Sequence, residues 1–238
     1  MANLDGVQIR SWLVGFWGKF GYGVKFADGW GGDRLLDRIF DADNVVFRFL
    51  GTVGYVWWLH ILWLLCSLPV ITVGASTTAL IYSCMKLHNG EGYATRNFFR
   101  SFRENLVQST ILFVIFLAVG GLLLMDLVLS GQTASWLGQF VRYGAIVLLI
   151  PYTMMLLYAF AVQAKFVNPV AKTLRYSFGM AVKYFKYTFQ MACVVAITLF
   201  LNMTIVLANF ITLSAGVGIV VYILSLYYNK IFSEILER

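Results

Sequence analysis

The stretch Phe49–Met85 reads FLGTVGYVWWLHILWLLCSLPVITVGASTTALIYSCM, 37 residues without one Asp, Glu, Lys or Arg. A helix crosses the hydrocarbon of a bilayer with roughly 20 apolar residues. The run is therefore too long for one crossing and about right for two, and Pro69 near its middle ends the first helix. Tyr187–Asn229, 43 uncharged residues, repeats the pattern. Asn105–Met125 and Tyr143–Ala164, 21 and 22 residues, suit one crossing each. The sequence predicts an all-α, polytopic membrane bundle of six transmembrane helices, with spans at Thr52–Leu68, Val70–Met85, Leu106–Leu129, Val141–Gln163, Thr188–Val206 and Ala215–Phe232.

Composition points the same way. The chain is 60% hydrophobic and 12% charged, with a mean hydropathy of +0.78, against roughly 25% charged residues in a soluble domain. Its 238 residues are mostly taken up by spans and short connections, which leaves no segment for a separate soluble catalytic domain. Residues 41–238 read as one six-span membrane domain and residues 1–40 as an extension to it.

The basic residues fix the orientation. With the N-terminus in the cytoplasm, six spans put 17 of the 18 Lys and Arg residues inside and leave only Arg142 outside, as the positive-inside rule requires. The second span is polar, with Thr72, Ser76, Thr77, Thr78 and Ser83, and a re-entrant dip would suit its shortness. A five-span chain, however, splits the 18 basic residues 7 to 11, so six spans with both termini cytoplasmic is the better reading. Gly74, Ala75, Thr78 and Ala79 then let this helix approach a neighbour closely.

Residues 1–40 do not read as a signal peptide, because Lys19 and Lys25 interrupt them and Gly is scattered throughout. Ile9, Trp12, Leu13, Phe16, Trp17 and Phe20 share one helical face, and Leu35, Leu36, Ile39 and Phe40 form a second apolar stripe after Gly32. Amphipathic helices lying in the headgroup region are the expectation; the same faces could also pack on a partner protein. Between spans, Asn97–Glu104 (NFFRSFRE) and Thr173–Phe185 (TLRYSFGMAVKYF) set aromatic residues beside cations. Arg100-Ser101-Phe102 and Arg175-Tyr176-Ser177-Phe178 echo each other about 75 residues apart. Arg100, Phe102, Arg103, Arg175 and Phe178, with Trp12, Phe16 and Trp17, are the candidate surface for a cytoplasmic partner or anionic lipid, set against ordinary positive-inside anchoring.

Reactive chemistry is sparse. Cys66, Cys84 and Cys193 are odd in number, lie in or at the ends of spans and show no metal spacing, so they read as small packed hydrophobes. His60 and His88 have no Cys or carboxylate clustered around them, and neither a metal site nor a cofactor is expected. No phosphate loop, nucleophile elbow or carboxylate pair occurs, so enzymatic activity is not expected. The net charge of +7 is accounted for by membrane orientation, which leaves nucleic-acid binding without support.

Four intramembrane polar residues remain as candidate sites. His60, among Trp57, Trp58 and Trp63, and Asn202 in the fifth span must face protein or water, because unsatisfied polar groups in hydrocarbon are costly. An interhelical hydrogen bond is the plainer reading of each, with a substrate contact as the other. Asp126 and Arg142 come to similar depth across the third turn, which suits a structural ion pair or an external ligand site.

The stretch Leu62–Ser76 (LWLLCSLPVITVGAS), followed by Leu87 and by Phe98–Asn105 (FFRSFREN), resembles the YesL-like family of bacterial integral membrane proteins, from about Asp41 to the C-terminus. His60 stands where the resemblance leads one to expect an Asn. In the motif Pro69 ends one helix, Thr72 and Ser76 can cap the next, and Gly74 allows close approach. The resemblance implies a multi-pass protein of the cell membrane, largely in Gram-positive bacteria, often encoded beside carbohydrate ABC importers. It implies an accessory subunit whose partners are importer permeases and membrane lipids. A permease itself is not implied, since no Glu-Ala-Ala coupling loop occurs. A small independent transporter and a membrane scaffold or regulator are the other readings.

Overall fold

Charge-free runs become helices because, without water, every backbone N–H and C=O must be satisfied inside its own segment. The computed structural model describes residues 45–91, 93–131, 135–166 and 168–237. Trp12, Phe16, Trp17 and the two proposed amphipathic stretches lie outside them. Helix α1 is Val45–Cys66, and a 3₁₀ turn at Val70–Thr72 leads into α2, Val73–His88. Then come α3 at Ala94–Gly131, α4 at Trp136–Lys165 and α5 at Val170–Lys183. Helix α6 is Phe185–Thr204, α7 Val206–Ile211, and a π-helical turn at Thr212–Gly216 opens α8, Val217–Leu236. Among the described residues there is no strand, and six helices are long and apolar enough to cross a membrane. The protein is an all-helical, multi-pass membrane protein.

The chain divides into two units, Met1–Thr52 and Val53–Arg238. Of the first, only the opening turns of α1 are described; the second is the bundle. There α2 packs most extensively on α3, α3 on α4, α4 on α5, and α8 returns onto α2. The most buried of the six spans is α2, and Gly74 explains how: a β-carbon there would lie 2.2 Å from the Ser109 carbonyl oxygen and 2.6 Å from Phe113 Cβ. Beside it Thr78 and Ser109 share a hydroxyl–hydroxyl bond of 2.9 Å. Seven consecutive residues of α4, Tyr158–Ala164, are buried, so neighbouring helices enclose the last two turns of this helix on every side.

Two elements differ from the sequence reading. Asn97–Glu104, read as a cytoplasmic connection, is continuous with the third span in one 38-residue helix, because nothing between Ala94 and Gly131 breaks it. At 1.5 Å per residue α3 is about 57 Å long, more than a bilayer with its headgroups, and the excess polar residues gather in its first three turns. Most of Thr173–Phe185 forms α5, whose buried positions are the small residues Thr173, Ser177 and Ala181. The capping roles given to Thr72 and Ser76 are also revised. Thr72 sits at the N-cap of α2 without a side-chain cap; its hydroxyl donates backwards to the carbonyls of Cys66 and Pro69, at 2.6 and 2.7 Å. Ser76 bonds Ser67 across the turn at 2.6 Å. Both stitch the α1–α2 turn shut instead of starting the second helix.

Candidate functional site

His60 is fully buried, and both its ring nitrogens are used. Nε2 lies 2.9 Å from the Leu213 carbonyl oxygen, and the Gly218 backbone N–H points at Nδ1 from 3.3 Å. A carbonyl can only accept and an amide N–H can only donate, so the partners select the neutral ring with its proton on Nε2. The imidazole thus bridges two backbone groups of the last span, at its π turn and at the start of α8. Trp63 stacks on the ring at 5.7 Å and is itself fixed by donating from Nε1 to Thr77 Oγ1 at 3.1 Å. Gly218 permits the approach, since a β-carbon there would lie 3.0 Å from both His60 Cβ and the Val56 carbonyl oxygen.

A second polar centre escaped the sequence reading. Gln163 of α4 is 1% exposed. Its amide nitrogen donates to Gln108 Oε1 at 2.5 Å and to Asn105 Oδ1 at 3.3 Å, both on α3. Its oxygen accepts from Thr173 Oγ1 of α5 at 2.8 Å. Asn105 Nδ2 in turn donates to the Ser101 carbonyl at 3.1 Å. Three helices meet at one amide whose two protons and oxygen are all engaged. The signal was present: Asn105, Gln108 and Gln163 lie in runs that count as charge-free but are not apolar.

Asn202 is half-buried, and its side chain donates to Thr198 O of its own helix at 2.7 Å, not to another span. Asp126 and Arg142 are exposed and do not pair; among the described residues the ion pairs are Lys86–Glu91 and Arg100–Glu104. Counting residues from a helix end bears on depth but does not give the direction around the axis. Arg100 and Arg103 are exposed on α3, and Arg175 and Phe178 on α5. The echo between the two segments holds for their serines, since Ser101 and Ser177 are both buried. It fails for their aromatics: Phe102 is half-buried and stacked on Phe98 at 6.4 Å, whereas Phe178 is 46% exposed. With Tyr176 and Val182 also exposed, α5 turns an apolar and cationic face outward. Beside α2, the Lys86 ammonium bonded to Glu91 holds that carboxyl below its ordinary range. Cys84 is buried, and Cys66 and Cys193 are half-buried; all three are free thiols.

Residues 56–127, from within α1 to near the end of α3, match a family model described as protein of unknown function, DUF624. The match takes in His60, the Pro69 turn and the Gly74–Ser109 contact. No curated protein and no solved structure matches the chain.

Proposed function

We propose that the protein is a non-enzymatic accessory subunit, of the YesL-like kind, that binds the membrane domains of a carbohydrate ABC importer in a bacterial cell membrane. The observation that carries this reading is how the buried polar groups are used. His60 and Gln163 spend their hydrogen-bonding capacity on the bundle's own backbone and side chains, where a transport path would turn such groups toward a substrate. The outward face of α5, with Tyr176, Phe178, Arg175 and Val182, offers aromatic and arginine contacts of the kind enriched in protein interfaces. The resemblance noted in the sequence supplies the class of partner. A small independent transporter is the second reading, favoured by the π turn at Thr212–Gly216, a geometry that recurs at functional sites.

Affinity purification from the native membrane in mild detergent, followed by mass spectrometry, separates the two. Stoichiometric recovery of importer permeases, lost on Arg175→Ala with Phe178→Ala, is the expected result. Purification alone, together with saturable sugar uptake by reconstituted vesicles, would replace the accessory reading with the transporter one.

A further inference from the structure

Helices α6 and α8 run antiparallel, and a groove of about 430 Å³ opens between them at the ends carrying Lys186 and Lys230, well above the ~30 Å³ share of one water. Its mouth is cationic and aromatic, formed by Lys186, Lys230, Tyr187 and Tyr227. The Lys230 ammonium sits 5.4 Å over the Tyr187 ring, and both lysines stand outside the two ion pairs among the described residues. The floor changes character along the helices. Gln190 is one turn beyond Lys186, and Leu226 and Ile223 are one and two turns before Lys230, so the lining turns apolar over about 10 Å from the cationic end.

We propose that this groove binds an anionic membrane lipid, its phosphate between Lys186 and Lys230 and the start of an acyl chain along Leu226 and Ile223. The order of the lining selects the occupant. A soluble phosphate would use the mouth alone, whereas a lipid needs two cations at headgroup level continued directly by apolar surface. Tyr187 and Tyr227 at the junction are the amphipathic rings expected where headgroup meets chain. Exposed Leu226 is the part of the floor such a chain would cover. The site stands independently of any importer partner.

The test is thermal unfolding of the purified protein in mixed micelles titrated with dioleoyl phosphatidylglycerol, dioleoyl phosphatidylcholine or inorganic phosphate at fixed ionic strength. Phosphatidylglycerol alone should raise the midpoint. Near a membrane surface each cation contributes enough that Lys186→Gln or Lys230→Gln should raise the half-saturating lipid concentration roughly 5-fold and the pair roughly 30-fold. Both lysines are exposed, so the lipid-free midpoint should hold. Lys172→Gln with Lys183→Gln removes the same charge from α5 and should leave the titration unchanged. Leu226→Asp, which charges the floor and keeps the lysines, should also weaken phosphatidylglycerol. The proposal is overturned if phosphatidylglycerol gives no shift, if inorganic phosphate or phosphatidylcholine protects equally, if the α5 pair loses as much as the groove pair, or if Leu226→Asp binds as wild type.

Discussion

Gly74 and Ser109 meet backbone to backbone: no β-carbon fits on the glycine while the serine carbonyl stays where it is. The contact joins the most buried span to the longest helix, and the Thr78–Ser109 bond lies next to it. Gly74→Ala should therefore force α2 and α3 apart and destabilise the protein by about 1–3 kcal/mol, the usual cost of overpacking. Gly121→Ala, on the same α3 with open space around it, should be neutral or mildly stabilising. Thermal unfolding in detergent reads both, and equal midpoints would show that the close approach carries no weight.

Replacing His60 with Leu removes the partner of the buried Gly218 amide and of the part-buried Leu213 carbonyl; a buried polar group left unpaired costs about 1–3 kcal/mol. His60→Asn keeps one donor and one acceptor on the side chain and should recover part of the loss. The ranking expected in midpoint is wild type, then Asn, then Leu. If Leu matches Asn, the bridge to the last span is not a stabilising bond.

Gln163 and Thr173 touch, whereas Asp126 and Arg142 do not, and double-mutant cycles distinguish the cases. Gln163→Leu and Thr173→Val should show a coupling energy of about 0.5–3 kcal/mol, while Asp126→Ala and Arg142→Ala should add within about 0.5 kcal/mol. Coupling in the second pair would mean the two charges meet in the membrane after all.

Topology is open to direct labelling. In a background with Cys66, Cys84 and Cys193 replaced, cysteines at Gly131 and Asn209 should react with an impermeant external reagent, and cysteines at Phe99 and Ala171 should not. All four positions are exposed. Labelling at Phe99 from outside would reverse the orientation or remove a span.

Span number was readable because length and charge are one-dimensional properties, and Pro69 divides the first long run wherever the helices end up in space. The close approach of α2 was readable in Gly74, Ala75, Thr78 and Ala79, since small side chains have few other uses in a span. Direction around a helix axis was not: Asp126 and Arg142, paired by counting residues, form no ion pair, and Asn202 turns to its own backbone. Nor could counting charges register Asn105, Gln108 and Gln163, which are neutral yet polar. Their significance lies in converging from two helices, and that convergence depends on the tertiary fold.

The bond from His60 to Leu213 joins residues 153 positions apart, which sets an order of events during synthesis. A ribosome delivers α1 long before the last span exists, so the first helix enters the bilayer with its imidazole lacking the partner it will finally have. Closure of the bundle by this bond must wait until the last span has been made and inserted. A nascent chain stopped short of Leu213 should expose an unsatisfied histidine to the membrane, a mark by which quality control could tell an unfinished molecule from a complete one.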